Sequence, residues 1–392
     1  MKDTPMNLDQ IIGWNSLLGE EEMMARDSTA KFARSRVLPS ITEDFEAGHF
    51  RKELIPELGE LGLLGANLQG YGCAGLSSVA YGLACHELEA VDSGLRSFVS
   101  VQTSLVMFAI LRFGSEEQKE RWIPALARGE AVGCFGLTEP GSGSDPGRMS
   151  TRATQDGDDW ILQGEKMWIT NAQIADVAIV WARTGPDAAS IRGFVVEKGM
   201  KGFEATGIDH KLSLRASFTG GLVLDEVRVP ATAMMPEAQG LGAPLSCLNN
   251  ARFGVAFGAI GAARYCLEAA TEYACDRIQF GVPIASKQLI QAKLAQMTSD
   301  VVSTSLMAVH YGRLKDNGQI KPVHISMLKR KACRMALDAA RQARSILGAN
   351  GITTDHHVLR HALNLESTFT YEGTDEIHTL VIGMAVTGQR AF

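Results

Sequence analysis

Along the first third of the chain, apolar residues recur at three- and four-residue spacing. The segments LGEEEMMARDSTAKFARSRVLPSI, KELIPELGELGLLG, VAYGLACHELEAV and SVQTSLVMFAILRF all carry this pattern, the mark of helices with one buried stripe. Gly65, Gly70, Gly72, Gly75 and Gly94 punctuate the loops between them. From about Gly133 to Pro236 the period shortens. DDWILQGEKMWIT reads as two strands around a tight Gln163–Gly164 turn, and VAIVWART, RGFVVEK and GGLVLDEVRVP are further short β-branched runs. From about Leu245 helical spacing returns in three long runs, CLNNARFGVAFGAIGAARYCLEAATEYACDR, KQLIQAKLAQMTSDVVSTSLMAVHYGRLKD and HISMLKRKACRMALDAARQARSILG. Long runs joined by short breaks predict a four-helix bundle. The expected architecture is α+β in three parts: a helical domain (1–132), a small β domain (133–236) and a helical bundle (237–392).

Composition narrows the function. With 45% hydrophobic and 21% charged residues the chain is an ordinary globular protein. A net charge of −6 argues against nucleic acid as a main partner, because phosphate binding needs a basic footprint. Seven scattered cysteines contain no C-x-x-C pair, so reduced thiols are expected rather than disulfides or a zinc site. No run approaches the roughly 18 apolar residues of a membrane span. The acidic N-terminal stretch has no apolar core of a signal or transit peptide. Bacterial cytoplasm is therefore expected, or the mitochondrial matrix for a processed form.

Several segments carry candidate chemistry. CFGLTEPGSGSDPGRM (Cys134 to Met149) is rich in Gly and Ser, so main-chain N–H groups can approach a ligand closely; a plain surface turn would have the same composition. It lacks the GK[ST] of a P-loop. KMWITNA sets Trp168 in a strand beside Thr170 and Asn171, where it either packs in the sheet or walls a flat ring. In TYEGTDEIHTLVIG, Gly373 breaks a helix directly after Glu372. A carboxylate held there against apolar walls would have a raised pKa, suited to taking a proton from carbon; at the surface it would be inert. His357 and His361 stand at i, i+4 but lack the Glu of H-E-x-x-H and a third ligand, so a surface or subunit contact is expected and no metal. Arg96, in DSGLRSFVSVQTS, is either a surface residue or, if turned inwards, the partner of an anion.

Together these segments resemble the acyl-CoA dehydrogenase family, in particular its glutaryl-CoA dehydrogenase branch. VDSGLRSFVSVQTSLVM, GCFGLTEPGSGSDP, KMWITNA, KLSLRAS, CLNNARFGVAFG, DRIQFGVP, QLIQAKLA, YEGTDEIHTL and the ending TGQRAF occur in the family's order. The resemblance implies a homotetramer that binds FAD and an acyl-CoA and passes electrons to electron-transfer flavoprotein. It assigns Glu372 as the catalytic base. Phe135, Gly136, Leu137, Thr138, Gly143, Ser144, Trp168, Ile169, Thr170 and Thr374 would hold the flavin ring and ribityl chain. Arg277, Phe280, Gln288, Ile346, Leu347, Gly348 and Phe392 would serve the adenine and pyrophosphate end, across a subunit boundary. Ser144, Leu248, Asn249, Asn250 and Arg252 would line the CoA path. Arg96, with Ser97, Glu89, Tyr371 and Gly373, would bind the acyl group, and an Arg at position 96 marks the dicarboxylic branch. That implies oxidation of glutaryl-CoA to crotonyl-CoA and CO2. Another short acyl group, a non-decarboxylating reaction and a non-catalytic paralogue remain as alternatives. Leu95, where a Tyr is common in the family, could alter acyl length preference.

Overall fold

The computed structural model describes residues 6–391. The first third is helical, as the spacing predicts. Glu20–Phe32, Ser78–Val91, Ser93–Ser100 and Glu116–Ala127 are its principal helices. Wide turns over Val101–Met107 continue the Ser93–Ser100 helix into Phe108–Phe113. Contrary to expectation, this continuous run from Ser93 to Phe113 is long and apolar enough to cross a membrane. It is almost wholly buried inside the protein, where it serves as a core helix.

The middle third is a seven-stranded sheet. It comprises β1 (Gly133–Gly136), β2 (Arg152–Asp156), β3 (Asp159–Thr170), β4 (Val177–Arg183), β5 (Ile191–Glu197), β6 (Phe203–Gly207) and β7 (Thr219–Pro230). The order is β1-β4-β2-β3-β7-β6, with β5 on β4. The predicted turn at Gln163–Gly164 is absent. β3 runs through it as one strand, and the register against β7 slips between Leu162 and Gly164. This is a β-bulge: Gly164 has φ +147°, and a Cβ there would lie 2.6 Å from Thr151 Oγ1. The reversal instead falls between β2 and β3, where Asp156 pairs with Asp159 around Gly157 at φ +64°.

The last third contains the three long helices Gly242–Asp276, Gln288–Asp316 and Pro322–Leu347, followed by the shorter Val358–Thr370 and Asp375–Thr387. The small hairpin β8 (Ile278–Gln279) and β9 (Val282–Pro283) links the first two. The chain's two helical ends share one core, in which Leu58, Leu83, Leu88 and Phe98 join Phe253, Phe257, Leu328 and Leu365. A second core joins Val106, Ile110 and Trp122 to Trp181 and Val195 of the sheet. At this seam the buried Gln102 amide donates to the carbonyls of Leu126 (3.1 Å) and Ala131 (2.8 Å), while its oxygen accepts from the Gly133 N–H (2.9 Å).

The two glycines give a test of bulge against turn. Gly157→Ala adds a methyl to open space and should cost about 1 kcal/mol, the left-handed penalty alone. Gly164→Ala also drives that methyl into Thr151 and should cost roughly 1–3 kcal/mol more, read as the difference between the two unfolding midpoints.

Candidate active site

Tyr371, Glu372 and Gly373 form a short turn between the Val358–Thr370 and Asp375–Thr387 helices. Glu372 has φ +51° and Gly373 φ +95°. A side-chain-bearing residue in that region costs about 1–3 kcal/mol and persists only where its surroundings fix it. Here the surroundings are two buried cations. Lys329 Nζ donates 2.8 Å bonds to the carbonyls of both Tyr371 and Gly373. Arg252 Nε donates a 2.5 Å bond to the carbonyl of Glu372, and its Nη1 is held at 2.9 Å by Asn249 Oδ1. A Cβ at position 373 would sit 3.0 Å from His378 Nε2 and 3.1 Å from Arg252 Nη2, so the packing requires glycine. Thr374 then caps the next helix, its hydroxyl accepting from Ile377 N at 3.3 Å.

Glu372 is half-buried, and its Oε2 is buried with no hydrogen-bond partner among the described residues. Burial pushes its pKa up; the Arg96, Arg252 and Lys329 charges offset that only in part. The result is a carboxylate that is less solvated and more basic than a surface one.

Arg96 lies near Glu372, fully buried. Its Nε is paired with Glu89, and its Nη2 donates to the Tyr371 hydroxyl. Burial disfavours the cation, but Glu89 and Tyr371 outweigh that and hold its pKa well above the usual value. Burial likewise raises the Tyr371 phenol, so Tyr371 stays neutral. Among the described residues, none accepts from Arg96 Nη1. The pair is reached by a close helix approach: at Gly258 a Cβ would run into Glu89 Oε2 and stand 2.9 Å from Arg96 Nε. Ser97 is buried on the Arg96 helix, and Leu248 is half-buried one turn before Arg252. The buried Asn250 amide nitrogen has no partner. Leu95 turns the other way, lining a small cleft with His49, Phe50, Asp92 and Ala216.

A second surface lies at the edge of the sheet. Met167 N donates to the Thr138 carbonyl at 2.8 Å, which joins the GLT and KMWIT segments. Behind them the buried Lys166 Nζ donates to Leu137 O (3.2 Å) and Glu139 Oε1 (2.8 Å), and Glu139 also accepts from Ser150 and Thr151. Burial alone would raise Glu139, yet Lys166 and these donors bring it to about 2, while burial brings Lys166 to about 8. Both are charged at neutral pH, and the loop is pinned. In front, Trp168 has φ +63° and is 56% exposed. A Cβ at Gly141 or Gly143 would meet nothing, and the N–H groups of Gly143 and Ser144 donate to no group among the described residues. An indole face beside the hydroxyls of Thr138 and Thr170 and free main-chain donors fits a flat heteroaromatic ring with a polar tail. The side chains of Phe135 and Ile169 are buried in the core, Phe135 against Trp181 at 5.9 Å, and Gly136 has none, so all three can offer such a ligand only main-chain atoms.

The third group sits at one end of the bundle. Arg277, Phe280 (92% exposed) and Gln288 are all on the surface around the β8–β9 hairpin. Gly348 (φ +61°) opens a turn whose Asn350 donates to Tyr273 at 3.0 Å, beside the end of the Gly242–Asp276 helix. Ile346 and Leu347 are core side chains, which leaves their main chain for any ligand. Phe392 lies outside the described residues. His361, expected at the surface, is fully buried against Tyr265 with ring centroids 4.9 Å apart. No cluster able to hold a metal exists among the described residues.

Sequence reasoning missed Lys329 and the Glu139–Lys166 pair. The signal for Lys329 was present: it falls in the apolar stripe Ile325, Leu328, Ala332, Cys333, Ala336, where a solvated lysine does not belong.

Residues 19–130, 134–227 and 238–387 match the N-terminal, middle and C-terminal domains of acyl-CoA dehydrogenase. The chain is 37% identical over 373 residues to an acyl-CoA dehydrogenase of Bacillus subtilis (strain 168), covering 94% of this chain and 98% of that protein. The chain belongs to the acyl-CoA dehydrogenase family and is an FAD-dependent enzyme. Its particular likeness is to glutaryl-CoA dehydrogenase. The crystal structure of that enzyme from Mycobacterium smegmatis is 56% identical with a TM-score of 0.97, covering 99% of this chain and 100% of that one. A glutaryl-CoA dehydrogenase from the same organism, in complex with FADH2, is 52% identical with a TM-score of 0.97 at the same coverage.

Gly258→Ala provides a check on the Arg96 site. The methyl must displace the buried Glu89–Arg96 pair, so a loss of roughly 1–3 kcal/mol is expected in thermal unfolding, with activity falling alongside.

Proposed function

We propose that the enzyme oxidises and decarboxylates glutaryl-CoA to crotonyl-CoA and CO2. The observation that carries this reading is the unused Nη1 of a fully buried arginine. A carboxylate brought into an apolar pocket requires a cation with a free donor, and Arg96 supplies one while Glu89 and Tyr371 hold it in place. The names of the similar M. smegmatis enzymes agree with it.

Bound FAD supplies the acceptor for the hydride that leaves Cβ of the acyl group. Glu372 removes the proton from Cα, and its unbonded main-chain N–H is available to the thioester carbonyl, where negative charge develops. Arg96 holds the distal carboxylate until CO2 departs. Glu372 then returns its proton to the resulting carbanion at Cγ, so it ends the cycle as the carboxylate with which it began. Electron-transfer flavoprotein is the proposed recipient of the electrons, as the family resemblance implies.

We also propose a homotetramer. Its support is the exposure of Phe280, Leu289 and Val386, together with the assembly the family resemblance implies. The cysteines are unpaired, which fits the reducing cytoplasm proposed for it.

In Glu372→Gln the amide cannot accept a proton. FAD content should stay at one per chain while turnover falls by at least about 100-fold. Turnover above about a tenth of wild type, a loss under roughly 1.4 kcal/mol, would remove Glu372 as the base.

Arg96→Met should cost glutaryl-CoA several kcal/mol in kcat/KM, about 3–5 for a buried ion left unpaired. Butyryl-CoA, with no charge to match, should be unaffected or improved. An unchanged ratio of the two kcat/KM values would remove the dicarboxylate assignment and leave the dehydrogenase intact.

A further inference from the structure

We propose that Lys329 is a positioning residue for the reaction: by donating to the carbonyls on either side of Glu372, it holds the base in its left-handed conformation with the main-chain N–H unbonded. The inference rests on Glu372 being the base and goes beyond that reading in naming what sets it.

Three successive carbonyls, those of Tyr371, Glu372 and Gly373, end on only two side chains, Lys329 and Arg252. Arg252 is braced by Asn249. Lys329 has no carboxylate within ion-pair distance among the described residues, whereas the other fully buried lysine, Lys166, is paired with Glu139. A buried ammonium without a counter-ion is costly, and the donors it offers to main-chain oxygens are its compensation. An ordinary turn would satisfy such carbonyls with N–H groups of the same segment. Here the N–H groups of Glu372 and Gly373 donate to no protein group among the described residues, so an N–H at the base is left free because the cations have taken the oxygens.

The same geometry sets the charge that Glu372 meets. Arg96 faces it from the Ser93–Ser100 helix, Arg252 from Gly242–Asp276 and Lys329 from Pro322–Leu347; Glu89 from Ser78–Val91 stands behind Arg96, and Asp375 and His378 lie on the helix that follows. Burial raises the Glu372 carboxyl and the three cations oppose it. Removing Lys329 takes away one opposing charge, so the carboxyl rises further and ionises only at higher pH. Because the base must be ionised, the acid limb of kcat should move to higher pH.

The test uses the holoenzyme and the variants Lys329→Met and Lys329→Ala, with FAD content and unfolding temperature recorded for each. In Lys329→Met, kcat for glutaryl-CoA should fall about 100-fold, as expected for a misplaced base. KM should change by less than about threefold, since the acyl-binding groups remain. The acid limb should rise by at least about half a pH unit. In Lys329→Ala, ethylammonium should restore kcat at least about tenfold, whereas tetramethylammonium, which has no N–H to donate, should not. A folded Met variant with kcat within about threefold of wild type overturns the proposal. So does a loss of kcat with an unmoved acid limb, which would make Lys329 merely structural. If the Met variant does not retain FAD, the Ala variant decides: an equal response to both cations, or to neither, overturns it. An active Glu372→Gln would instead overturn the base, whatever the Lys329 variants do.

Discussion

The site is built around one buried carboxyl oxygen, Oε2 of Glu372, whose burial makes the group more basic while nearby cations oppose that shift. Without those cations, burial would raise the Glu372 carboxyl further. Arg96, Arg252 and Lys329 bring three positive charges to it from three different helices, and among the described residues only Arg96 carries a carboxylate partner of its own, Glu89. The helices must therefore pack to a fixed distance. Gly258 shows how tightly that distance is set, since even a methyl group there meets both members of the Glu89–Arg96 pair.

The molecule separates the task of burying charge from that of presenting a binding face. Towards the core lie paired or hydrogen-bonded ions: Lys166 with Glu139, Arg360 with Asp92, and Arg264 with Glu87. Towards the outside lie groups whose donors are unspent, such as the Gly143 and Ser144 N–H groups and the Trp168 ring. The pinned loop between β1 and β2 joins the two, with Glu139 turned inwards and its neighbours left free to meet a ligand. Rigid support behind an open face limits the ordering cost of binding.

Much of this was legible in the chain. Helical spacing is strong where one face is buried over several turns, which is why the long helices and the α+β plan could be read directly. The sheet was read less well. β1 and β6 are short, and the bulge at Gly164 looks like a turn because glycine serves both. Glu372 and Arg96 were singled out through their motifs, as were Glu89, Tyr371 and Arg252 beside them; the contact of Lys329 with Tyr371 was not, because the two are 42 residues apart and meet only through the tertiary fold. Position 361 failed for the opposite reason: histidine suits surface and core alike, and the aromatic neighbour that buries it, Tyr265, is far away in sequence.

The core shared by the two ends of the chain has a consequence for biosynthesis. Leu58, Leu83 and Leu88 find their partners in Phe253, Phe257 and Leu328. The first helices therefore leave the ribosome with their apolar stripes uncovered. They wait while the whole sheet and most of the bundle are made, a delay on the order of tens of seconds at ordinary elongation rates. During that interval the nascent chain presents the kind of surface that chaperones bind, and a truncated product ending before the last long helix would expose it permanently. The cost of building an active site between the first and last thirds of one chain is thus carried by the cell's folding machinery, before the enzyme has turned over once.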